Sequence, residues 1–269
     1  MTAFSARVAE LTGLAESDLE RLAGGDLSEV LLVRRPDGSR LVAKGGPAPD
    51  LEAAMLRAIA AAGAPAPAVE SEHGDVLLME YIPNDGVMSE GAWRSLGKAV
   101  ARLHARREER YGWPNDWSLG TVRLDNRRGE DWIEFWGEQR LRAVAAVLDR
   151  PWRERVDKAC RSLAGIISRA PPPALLHGDL WTGNVLVNEG ELAALIDPAC
   201  YYGDAEVDIA MLTLFATPPA SFWESHGRPA AGWDERQAAY QLFPALVHLR
   251  LFGQSYAAMA DRLLTRLGA

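Results

Sequence analysis

Leu175-Leu176-His177-Gly178-Asp179-Leu180-Trp181-Thr182-Gly183-Asn184, continued by Val185-Leu186-Val187, is the stretch on which the reading of this chain turns. Its polar, turn-forming residues, His-Gly-Asp and Gly-Asn, lead into an apolar run at Val185 to Val187 that predicts a short strand. A turn at Asn188-Glu189-Gly190 and a second apolar run, Leu192 to Ile196, predict an antiparallel hairpin that stops at Asp197-Pro198. Asn184 and Asp197 then sit symmetrically about the turn, and such cross-strand neighbours have Cβ atoms roughly 4.5–5.5 Å apart. An amide and a carboxylate converging there suit Mg²⁺, which takes few protein carboxylates and fills its shell with water and phosphate oxygens.

Asp179 precedes Asn184 by five positions. That spacing resembles the protein-kinase catalytic loop, in which the Asp accepts the substrate hydroxyl proton and the Asn holds a metal ion. Here His-Gly-Asp stands in place of His-Arg-Asp.

Upstream, residues 29–44 alternate as strands around Pro36-Asp37-Gly38 and predict a hairpin closed by Lys44. Lys44, in Val42-Ala43-Lys44, occupies the place of a phosphate-binding lysine. Asp50 is expected to cap a helix to about Ala62, with Gly63 as its stop. Glu52 shares a face of that helix with Leu56 and Ile59, so a carboxylate points toward the apolar side and needs a cation, for which Lys44 is the candidate. Gly24-Gly25-Asp26-Leu27-Ser28 precedes the first strand; it reads either as a plain turn or as a loop whose backbone N–H groups, with Ser28, approach phosphates. Val76 to Tyr81 reads as a buried strand, and Glu80, Tyr81 and Ile82 as a hinge whose main chain could hold adenine. Pro83-Asn84-Asp85-Gly86 is the expected boundary between an N-terminal lobe, residues 1–83, and a C-terminal lobe, residues 84–269.

Beyond it Ser89 is expected to cap a helix through Trp93, Leu96, Val100, Leu103 and His104, the last read as a core histidine. Residues 111–126 read as a loop, Trp132, Phe135 and Trp136 as a packing stripe on a helix, and everything after Asp197 as helical, with a kink expected at Pro244.

The chain of 269 residues carries 37 acidic and 29 basic side chains, a net charge of −8, which gives no surface for nucleic-acid phosphates or anionic lipid. Two cysteines, Cys160 and Cys200, fit free thiols in a reducing cytosol. The opening residues lack a signal-peptide pattern and no apolar run reaches bilayer length, so a cytoplasmic location is expected.

His177 to Asn184, together with Ile196-Asp-Pro-Ala-Cys-Tyr-Tyr-Gly203 and Glu206-Val-Asp-Ile-Ala-Met211, resembles the signature of the fructosamine (ketosamine) kinases. Residues 113–141 and His248-Leu-Arg-Leu-Phe-Gly253 also look like family segments. The resemblance implies an α+β fold of two lobes, protein-kinase-like, with a small antiparallel sheet first and a mainly helical second lobe. It implies ATP and Mg²⁺, and transfer of the γ-phosphoryl to the sugar 3-hydroxyl of a ketosamine, a glycated small amine or protein lysine, by a monomer. Asp179 would be the base, Asn184 and Asp197 the metal ligands, and Lys44 with Glu52 the phosphate anchor. His177 and Asp208 would support the catalytic loop, and Trp181 and His248 would line the acceptor site; either aromatic could instead be a core residue. Asp204 stands where the family usually has His, Leu124 where it often has Gln, and Thr182 where Ser is usual. The alternatives are a kinase of another small alcohol, such as an aminoglycoside, choline or a sugar, or a silent nucleotide-binding pseudokinase.

Overall fold

The computed structural model describes residues 2–22 and 28–269. Gly24 and Gly25, the expected phosphate-loop glycines, lie outside the described residues.

The first part of the chain is a sheet with two helices. Helix α1 (Ala3–Thr12) is followed by β1 (Leu19–Arg21), β2 (Val30–Arg34) and β3 (Arg40–Gly45), then α2 (Pro49–Ala61), β4 (Val69–His73) and β5 (Val76–Glu80). The sheet order is β1-β2-β3-β5-β4, antiparallel throughout. The expected hairpin forms with Val30 opposite Lys44, its turn held by the Asp37 carboxylate accepting from the Ser39 N–H and its Gly38 in the left-handed region. Asp50 is not the cap of α2: Ala48 is, without a side-chain bond, and Pro49 starts the helix because its fixed φ suits the first helical position. At the other end Gly63 takes φ 82° and the Gly63 and Ala64 N–H groups bond back to Ala60 and Ile59, closing the helix. The buried face of α2 presents Glu52, Met55, Leu56 and Ile59.

The second part opens with α3 (Glu90–Ala105), capped as expected by the Ser89 hydroxyl on the Ala92 N–H. There follow β6 (Trp117–Leu119), β7 (Val122–Leu124), α4 (Trp132–Glu134), a π-helical run Phe135–Arg142, α5 (Ala143–Ala145) and α6 (Arg150–Ser162). Then come β8 (Ala174–Leu176), β9 (Val185–Asn188), β10 (Glu191–Leu195), β11 (Tyr201–Gly203), α7 (Glu206–Phe215), α8 (Ala220–His226), α9 (Trp233–Phe252) and α10 (Ala257–Arg266). Two expectations fail here. The loop at 111–126 contains the hairpin β6–β7, and the segment after Asp197 is not all helix, since Tyr201–Gly203 pairs with β8. Strands of three residues are too short for a period of two to declare itself. Helix α9 runs on through Pro244.

Trp132, Phe135 and Trp136 are buried, with Trp132 stacked on Phe135 and packed against Trp136, and Trp136 edge-on to Tyr240, which makes the stripe packing, as expected. The two parts are stitched at their junction: the Asp85 N–H donates to the Val187 carbonyl, and the Val187 and Glu189 N–H groups donate to the Asn84 and Asp85 side chains. No helix among the described residues is long and apolar enough to cross a membrane.

Candidate active site

Between sheet and helices opens a cleft of about 1240 Å³, lined from above by Lys44 and Glu52 and from below by Asp179, Asn184 and Asp197. Lys44 reaches it from the end of β3, where its neighbours Leu41 to Ala43 are buried in the sheet. Its ammonium donates to Glu52 at 2.6 Å and to Asp197 at 2.7 Å, so one cation bridges the two parts of the chain. Burial alone would push the Lys44 pKa down; the carboxylates of Glu52 and Asp197 outweigh it and raise it. Burial raises the Glu52 carboxyl, with Lys44 pulling the other way.

Asp179 lies on the segment between β8 and β9. Asn184 donates its amide Nδ2 both to the Asp179 carbonyl, at 2.8 Å, and to the Asp179 carboxylate, at 3.1 Å. Both partners are acceptors, which fixes the amide orientation and leaves the Asn184 Oδ1 without a hydrogen-bond donor among the described residues. Burial, with the nearby Asp197 charge adding to it against the Asn184 hydrogen bond, lifts the Asp179 pKa from 3.8 to about 7.

The expected symmetry of Asn184 and Asp197 about the hairpin turn is not kept. The two-residue turn Glu189-Gly190 sets a register that would put Leu195 opposite Asn184, and a bulge between Leu192 and Ala194 moves it by one, so the Ile196 N–H bonds to the Asn184 carbonyl and Asp197 sits one residue further on, at φ 54°. The left-handed turn at Asp197 carries the chain out of the strand where its carboxylate meets Lys44. One carboxylate, one free amide oxygen and an open cleft are a donor set that fits Mg²⁺ together with water and phosphate oxygens. Among the described residues no group of three or more His, Cys, Asp or Glu is placed to hold a metal ion.

The loop is held from behind. Asp208, fully buried in the first turn of α7, accepts from the His177 N–H at 2.8 Å and the Gly178 N–H at 2.9 Å. Its third partner is the Nε2 of His104 at 3.0 Å. Burial opposes ionisation of Asp208, yet these donors hold its pKa below the ordinary value. His177 is neutral: burial lowers its pKa, its Nε2 donates to the Ile196 carbonyl, and its Nδ1 accepts from the Asp179 N–H. Gly178 adopts φ 81°, and a Cβ there would meet the Ala199 carbonyl at 2.0 Å, so only glycine fits.

Ser28, Glu80, Tyr81 and Ile82 line the cleft at its sheet side. The Glu80 N–H is taken by the Ala68 carbonyl, and Tyr81 lies under the Arg40 guanidinium. Trp181 and His248 line the opposite end, and Trp181 lies over Gly183, which has no room for a Cβ. Sequence reasoning passed over His104, whose link to Asp208 spans 104 positions and leaves no local pattern. It also passed over Phe215, Phe252 and Tyr256, whose helical spacing reads as core although they face the cleft.

Residues 14–269 match the family model described as fructosamine kinase. A chain of Thermus thermophilus named as a ketoamine kinase is 35% identical over 266 residues, 93% of this chain and 94% of that one. A crystal structure from Thermobifida fusca named as a fructosamine-3-kinase superposes with a TM-score of 0.86 at 30% identity, covering 98% of each chain. An aminoglycoside phosphotransferase mutant in ternary complex with ADP and hygromycin B shares the fold, with a TM-score of 0.67 at 18% identity over 99% of this chain and 97% of that one.

Proposed function

Because this chain belongs to the fructosamine kinase family and is an ATP-dependent phosphotransferase of bilobal, kinase-like fold, we propose that its acceptor is the sugar 3-hydroxyl of a ketosamine. The phosphorylated adduct would then release its amine. The observation that carries this reading is the arrangement of Asp179 at the floor of the cleft, fixed by Asn184 and facing the Lys44–Asp197 pair.

In this reading residues 1–83 hold the nucleotide and residues 84–269 the acceptor. Ser28 borders the phosphates, and the main chain at Glu80 to Ile82 holds adenine. Lys44, kept charged by Glu52, neutralises phosphate oxygens. Asn184 Oδ1 and Asp197 would hold Mg²⁺, which supplies charge neutralisation at the transferring group. Asp179 orients the hydroxyl; as the acceptor oxygen bonds to the γ-phosphorus and the bond to the β-phosphate oxygen breaks, the hydroxyl proton passes to the carboxylate. A carboxylate whose pKa is lifted toward neutrality is a better proton acceptor than an ordinary one. His177 and Asp208 keep the loop in place, and Trp181 and His248 border the sugar. The chain works as a monomer in the cytoplasm.

The departures from the family pattern do not redirect this reading. Asp204 is buried away from the cleft: it accepts from the Tyr240 hydroxyl at 2.6 Å and from the Glu206 N–H at the start of α7. Leu124 is buried in the helical core. The test is ATP consumption with fructosyl-, ribulosyl- and erythrulosyl-lysine beside an aminoglycoside and choline. Turnover of the ketosamines supports the assignment, and turnover of the last two alone overturns it.

A further inference from the structure

A row of rings leads away from the base. Trp181, two positions after Asp179, stands edge-on to Phe215 with centroids 6.2 Å apart, and Phe215 lies 5.2 Å from His248. His248 in turn lies 5.5 Å from Phe252 and 4.8 Å from Tyr256. All five line the cleft. Six large hydrophobic side chains are exposed among the described residues, and the three aromatic ones, Trp181, Phe215 and Phe252 at 37%, 37% and 46%, all belong to this wall. Exposed aromatics clustered on one wall of a cleft mark a surface that gains by being covered.

The charges at this end are already spent. Asp116 and Arg123, on the facing hairpin β6–β7, are bonded to each other at 2.6 Å. Arg250 on α9 donates to the Thr121 carbonyl at 2.8 Å, which holds that hairpin against the helix carrying the rings. Among the described residues lining this end, each charged side chain already has an opposite charge beside it, and His248 spends its Nδ1 on the Pro244 carbonyl.

We infer that the wall of Phe215, His248, Phe252 and Tyr256 is a subsite for the substituent on the ketosamine's amine, and that it takes an apolar or aromatic group in preference to a zwitterionic amino acid. This rests on the ketosamine reading, which fixes the sugar hydroxyl at Asp179 and so sends the amine, only a few bonds away, past Trp181 onto the rings. The protonated amine can lie against the aromatic faces, and the substituent beyond it covers Phe215 and Phe252. A bare carboxylate there would lose hydration and gain no partner.

The test is kcat/KM for one sugar on several amines: fructosyl-benzylamine, fructosyl-butylamine, fructosyl-glycine and Nε-fructosyl-lysine, with wild type, Phe215→Ala and Phe252→Ala. Both side chains are part-exposed, so the variants should fold, which their melting curves check. The expected result is an advantage of about tenfold for benzylamine over glycine, falling toward parity in each variant. Equal kcat/KM across the four in wild type overturns the inference and leaves the ketosamine reading standing. A preference that survives in both variants overturns the assignment to this wall. Failure to turn over any of the four, with ATP still bound, defeats the ketosamine reading and the inference with it.

Discussion

Replacing Asp179 with Asn should stabilise the folded chain above neutral pH while abolishing turnover. Burial raises the folded-state pKa of this carboxyl to about 7 from its ordinary 3.8. The folded chain therefore keeps the proton over a range in which the unfolded chain has released it, and stability falls as pH climbs from near 4 to near 7, with the full penalty present above that window. At roughly 1.4 kcal/mol per pH unit the gap amounts to roughly 4 kcal/mol. The carboxylate still faces the cleft, and its residual hydration reduces this to about 2–3 kcal/mol. Asn at this position keeps an oxygen for the Asn184 amide and carries no charge to repel Asp197. For a chain of this size the gain is a rise in Tm of roughly 4–10 °C at pH 8. At pH 5 much of the penalty is already absent in the wild type, and the gain should shrink to less than half. Melting curves of both proteins at the two pH values, without nucleotide, measure this. A gain that is the same at pH 5 and pH 8, or a loss at pH 8, would refute a buried, proton-holding Asp179.

Lys44→Met should destabilise by about 3–5 kcal/mol at pH 8, because it strips the cation from the buried Glu52; since burial raises the Glu52 carboxyl, the loss should lessen as pH falls and that group takes up a proton, which chemical denaturation across pH will read. Asp197→Ala should lose Mg²⁺-dependent nucleotide affinity, by tenfold or more on the order of one charged contact, while the metal-free affinity changes little; calorimetric titration with and without Mg²⁺ separates the two. Asp208→Asn should cost about 3 kcal/mol or more and most of the activity, since the one oxygen of an amide cannot serve both oxygens' partners and its NH₂ would face either the Gly178 N–H or the His177 N–H; denaturation midpoints and kcat report both.

Local chemistry could be read from the chain where a short spacing or a single helix face carried it. Asp179 and Asn184 lie five positions apart and touch; Glu52 shares a helix face with Leu56 and Ile59 and meets Lys44. Where the exact place of a turn decided the geometry, the pattern misled: the tight turn at Glu189-Gly190 would face Asn184 with Leu195, and the bulge at Leu192–Ala194 moves that only as far as Ile196, one short of Asp197. Contacts between distant segments left no trace. His104 reads as one more apolar-face residue of α3, and only the packing of α7 behind the loop gives it Asp208 as partner. The aromatic wall escaped for the opposite reason. Phe215 and Phe252 have the spacing of core residues, but they sit at the ends of α7 and α9, where the helix surface runs out into the cleft.

The central claim is that Asp179 takes the acceptor's proton during phosphoryl transfer. The most direct measurement is transfer of radiolabelled γ-phosphate from ATP to a fructosamine by wild type and Asp179→Ala, with Mg²⁺-ATP affinity determined on the same preparations. The account predicts a loss of about a thousandfold or more in kcat with nucleotide affinity within a few fold of wild type. Transfer by Asp179→Ala at a rate near that of the wild type would contradict it.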